Sequence, residues 1–249
     1  MSKDSIVRPP HWANALCPPL ALLLIILLGL FLGPLGGLDT VAQVGWCALV
    51  AAPVGVLLSP RGNLGGDVRE PGKRSSLAPA ILGLCTIVLS CLVCQHYGSR
   101  SLPDIHSSIF VLSGLYFLGL GIGAFLWRRG SSPTHCSRHT AAGILLGISI
   151  SCAGAPILFG LGAEGQSLGS SHPALAECLL LLAPDGLALE VGGFDWSHTN
   201  PGVYATSGVE WVLRSPRGPG AAALTLALGV LVFVLGAFAY RLRGKNQAS

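Results

Sequence analysis

SSIFVLSGLYFLGLGIGAFL (107–126), WRRGSSPTHCSRH (127–139) and TAAGILLGISISCAGAPILFGL (140–161) run consecutively through the middle of the chain. The two outer stretches are uncharged and dominated by Leu, Ile, Val, Phe, Ala and Gly. Each is about 20 residues long, the length an α-helix needs to cross roughly 30 Å of hydrocarbon at 1.5 Å per residue. The short connection carries Arg128, Arg129 and Arg138, and basic residues in short loops mark the cytoplasmic side. The stretch therefore predicts a membrane hairpin with its connection in the cytoplasm, and the other spans are oriented from it.

The composition agrees with that reading. Of 249 residues, 51% are hydrophobic and 10% charged, against about 25% charged in soluble proteins, and the mean hydropathy is +0.65. Apolar runs at 15–35, 40–58, 77–94, 107–126, 140–161 and 221–240 predict an all-α, polytopic membrane bundle of about six spans. The first run is too long for a signal-peptide core, so it reads as a retained span. With the N-terminus inside, two basic residues fall in the N-terminal tail, four at 59–75, three at 127–139 and three in the C-terminal tail. These are twelve of the fifteen Lys and Arg; Arg100, Arg214 and Arg217 fall outside. Both termini are accordingly expected in the cytoplasm. The net charge of +4 sits in these loops without interleaved aromatics, which argues against a nucleic-acid surface.

Three regions follow: a five-helix membrane region at 1–161, an exported segment at 162–220, and the last helix with its tail at 221–249. Pro53 predicts a kink in the second span. In the exported segment the apolar run 172–182, closed by Ala183-Pro-Asp-Gly186, is too short to span and reads as an interfacial or re-entrant helix. A shorter run, 187–191, follows it. Trp196, Tyr204 and Trp211 are suited to the membrane–water boundary. Gly114, Gly119, Gly121 and Gly123, with Gly143 and Gly147, predict close helix packing.

Cys91-Leu-Val-Cys94 is the sharpest chemical motif, placed at the outer end of the third span. A Cys-x-x-Cys pair there suits thiol–disulfide exchange, although such enzymes also need a second redox pair or a quinone relay. Outside the membrane, Cys178 is the one exported thiol, with Cys47 near the outer face. The first reading of Cys17, Cys47, Cys85, Cys91 and Cys152 is as small apolar residues of a bundle. Gln95 separates Cys94 from His96, which excludes a c-type haem site. His135, Cys136 and His139 form a poor metal site in a solvated loop, and Asp195, His198 and Glu210 lack an accompanying nucleophile. Gly66 to Lys73 fails as a phosphate loop, because Arg74 stands where Ser or Thr is required. No cofactor or metal is expected, and no enzymatic activity. The absence of charge inside the spans argues against proton-driven transport.

Phe117-Leu-Gly-Leu-Gly-Ile-Gly-Ala-Phe-Leu-Trp-Arg-Arg129, the basic loop, Thr140-Ala-Ala-Gly-Ile-Leu-Leu-Gly147, and the run from His172-Pro173 to Pro184-Asp185-Gly186 together resemble the membrane subunit of an ABC-2 type exporter. That family has six spans, cytoplasmic termini and re-entrant helices before the last span. The short N-terminal tail departs from it, with only 9–14 in place of the amphipathic elbow helix. The resemblance implies a separate ATPase partner, for which Arg128, Arg129 and Arg138 are the candidate contacts, and an oligomer in the cytoplasmic membrane of a bacterium. A non-catalytic accessory subunit of a larger membrane assembly is the alternative, and a thiol oxidoreductase using Cys91 and Cys94 is a third reading. The topology expects thiol labelling to find Cys136 in the cytoplasm and Cys178 outside; reversal of both would overturn the orientation.

Overall fold

A computed structural model describes residues 39–59, 78–98, 100–126, 134–160, 182–194 and 218–245. These form six helices: α1 (Thr40–Leu58), α2 (Ala78–Tyr97), α3 (Ile105–Leu126), α4 (Thr134–Gly160), α5 (Pro184–Val191) and α6 (Pro219–Lys245). There are no strands among the described residues. Among the described residues four segments are long and apolar enough to cross a membrane: α1, α2, α3 and Pro219–Ala239 of α6. In hydrocarbon a backbone amide has no water to bond, so an apolar run of this length satisfies itself as a helix. The chain is thus an all-helical, multi-pass membrane protein. The first expected span, 15–35, lies outside the described residues.

Several boundaries differ from expectation. α2 continues three residues beyond Cys94, carrying Gln95, His96 and Tyr97 in its last turn. The second arm of the hairpin begins at Thr134, so 134–139 belongs to α4 and not to a loop. Pro133 directly precedes the helix, and the His, Cys and Arg residues that follow are compatible with its first turns. α4 runs on to Gly160 and so covers the expected span 140–161 almost to its end. α1 runs unbroken through the buried Pro53.

Helix α3 is the axis of the bundle. It packs most extensively on α6 on one side and α1 on the other. Its glycines divide between these two contacts. Gly114 and Gly121, two turns apart, meet Gly229 and Gly236 of α6. A Cβ on Gly229 would lie on the Gly114 carbonyl oxygen and 2.8 Å from its carbon; one on Gly121 would lie 2.6 Å from the Val232 carbonyl oxygen. Gly119 and Gly123 turn instead to Ala52, Val56 and Ser59 of α1, and Gly55 of α1 answers against Leu120. The register, 119 with 52 and 123 with 56, then 114 with 229 and 121 with 236, makes α1, α3 and α6 parallel. α2 runs the other way and returns through 98–104 into α3. One end of the bundle, the turn end, therefore holds the starts of α1, α3 and α6 and the α2–α3 connection.

Tyr116 ties α2 to this axis. Its side chain is fully buried, and its hydroxyl donates to the Ala80 carbonyl oxygen at 2.7 Å. Gly83 leaves the space: a Cβ there would fall 2.6 Å from the Tyr116 oxygen. Outward-facing Ile81, Leu82 and Leu89 of α2, Ile144 and Ile148 of α4, and Leu224, Leu228, Leu231 and Phe238 of α6 are more than half exposed, as side chains that face lipid should be. Gly143 and Gly147, expected in a packed interface, have nothing near a Cβ.

Alanine at Gly119 or Gly229 should destabilise the protein by about 1–3 kcal/mol, since backbone must move to admit the methyl group. Alanine at Gly147 should be neutral or stabilise by up to about 1 kcal/mol. Denaturant titration of the detergent-solubilised protein checks all three.

Candidate functional site

The turn end gathers the polar side chains of the bundle. α1 opens there on Asp39, whose carboxylate accepts from the Val41 amide at 2.9 Å, and α3 opens on Asp104, which accepts from the Ser107 amide at 3.1 Å and the Ser107 hydroxyl at 2.5 Å. Each carboxylate satisfies amides that have no partner within the helix. Arg100 approaches Asp39 at 3.9 Å from the connecting turn, with two-thirds of its side chain exposed, so the pair contributes little. The turn itself is held by Gln95. Its amide nitrogen donates to the Leu102 carbonyl and its amide oxygen accepts from the Leu102 amide, both at 2.9 Å.

α5 closes this end. Pro184 suits a first helical turn and Asp185 lies beside the positive helix start. The helix finishes where Gly193, at φ 81°, lets the chain turn left-handed. Phe194 N–H then donates to the Leu189 carbonyl at 3.0 Å and Gly193 N–H to that of Glu190 at 2.9 Å, a Schellman closure. Ala188, Leu189 and Val191 are buried against the bundle. Ser108, fully buried in α3, donates to the Ala188 carbonyl at 2.7 Å, and the Asp104 amide donates to that of Gly192 at 2.9 Å. Leu189 and Asp185 reach the level of Gly45, five residues into α1, or about 8 Å below its start. A short helix does fold back into the bundle. It begins at Pro184 and takes in the shorter run 187–191, since proline and aspartate suit a helix start; the run 172–182 precedes it. Of that run only Leu182 is described.

Beneath α5 lie the thiols. Cys47 of α1 and Cys91 of α2 are both fully buried and belong to one core cluster. Cys47 Sγ also accepts from Gln43 Nε2 at 3.5 Å and lies 3.7 Å from Ser90 Oγ. Ser90 gives its own proton to the Ile87 carbonyl at 2.8 Å, which leaves its oxygen to accept from Cys47. Cys94, one turn nearer the surface, is also buried. The Cys-x-x-Cys motif thus lies in the packed core, where Ser90 beside it meets Cys47 of another helix. The signal was present in the spacing. Cys47 is seven residues from the start of α1, Cys91 is six from the end of the antiparallel α2, and so the two share a depth.

Of the other candidates, Arg128, Arg129, Cys178, Asp195, Trp196, His198, Tyr204, Glu210 and Trp211 lie outside the described residues. Arg138, with His135, Cys136 and His139, is on the opening turns of α4, at the other end of that helix from Gly160. Among the described residues no group of three His, Cys, Asp or Glu side chains has a metal-binding arrangement. No family of known proteins matches the chain, and neither does any curated protein or solved structure.

Removing the Ser108 hydroxyl (Ser108→Ala) leaves a buried carbonyl without its donor and should destabilise by about 1–3 kcal/mol. Hydrogen exchange should quicken over 184–194 before it does in α3. Ser107 holds the Asp104 carboxyl below the usual carboxylate range, chiefly by side-chain and then backbone hydrogen bonding. The capping contribution is therefore complete above the ordinary carboxylate value and is lost as pH falls through the lowered one. Exchange of the Ser107 amide followed down the acid range checks the sign, and Asp104→Asn should flatten the response.

Proposed function

We propose that this protein is a membrane-spanning subunit of a transport complex, arranged like an ABC-2 type permease and driven by a separate ATPase. The observation that carries the reading is α5, a short helix from the segment before the last span, folded back between the ends of α1 and α3. In this reading the turn end faces outward and the Lys245 end of α6 faces the cytoplasm. The distribution of Lys and Arg supports that orientation, with both termini inside, and the exporter reading sets the protein in a bacterial cytoplasmic membrane. The connections 59–75 and 127–139 then face the ATPase, with Arg128, Arg129 and Arg138 as its contacts. Coupling requires the ATPase to bind these connections differently in its two states, since a partner indifferent to conformation shifts nothing. The subunit works as an oligomer, with two copies enclosing the path.

An accessory subunit of a larger membrane assembly is the alternative reading, and the helix packing is open to both. α1, α3 and α6 meet backbone to backbone through their glycines, which leaves no path between them within one chain. A path would have to lie between copies or between this chain and another.

Purification from native membranes in mild detergent tests the proposal. An ATPase should copurify, and Arg128→Glu with Arg129→Glu should reduce its recovery at least tenfold, once labelling of Cys136 has shown that insertion is unchanged. Recovery of other integral subunits without an ATPase would overturn the exporter reading in favour of the accessory one.

A further inference from the structure

We draw no further inference here: the strongest candidate, the outward face of α4 where Gly143 and Gly147 stand open beside the exposed Ile144 and Ile148, is a stripe of small residues on an apolar surface, and nothing in the structure shows what covers it.

Discussion

Close backbone contact along α3 is the constraint on which the rest of this structure depends. In lipid there is no hydrophobic gain from pressing one apolar helix against another, because the surrounding chains are as apolar as leucine. Association must come from dispersion and polar contacts, which strengthen as backbones approach. Gly114 and Gly121 permit that approach on the α6 side, and Gly119 and Gly123 permit it on the α1 side. With both faces of α3 engaged, α1 and α6 are fixed in register and parallel. The antiparallel α2 is then tied to this axis by Tyr116 through the Ala80 carbonyl.

A consequence of three parallel helices is that their starts collect at one end. Helix starts present amides without partners, so that end attracts acceptors. Asp39 and Asp104 serve α1 and α3. α5 then lies across this end because its own polar backbone finds partners there, in Ser108 and the Asp104 amide. A short helix that enters the membrane needs such donors, since a loop or helix terminus exposed to lipid would leave them unmet. The hydrogen bonds that seat α5 are thus also what shields the thiols below it.

That shielding separates the cysteines into kinds. Cys85 faces outward on α2, a small residue on a lipid-facing surface. Cys152 is buried on α4 and fills space. Cys47 is distinguished by its polar neighbours Gln43 and Ser90, and Cys91 lies in the same buried core.

What the sequence by itself determined was everything set by length, apolarity and charge along one dimension. The runs at 40–58 and 107–126 became α1 and α3 almost to the residue, because a span must match the hydrocarbon thickness and lipid leaves an apolar run no alternative to a helix. Clustered glycines in 114–123 announced close packing for the same one-dimensional reason. Which neighbour each glycine meets was decided only in three dimensions. Gly143 and Gly147 look equivalent in sequence but face open space. Pro184 reads in sequence both as the end of an apolar run and as a first helical turn, and the helix that starts there is seated by its packing against α1 and α3. The contact of Ser90 with Cys47, forty-three residues away, likewise required the antiparallel arrangement of α1 and α2 to bring two equal depths together.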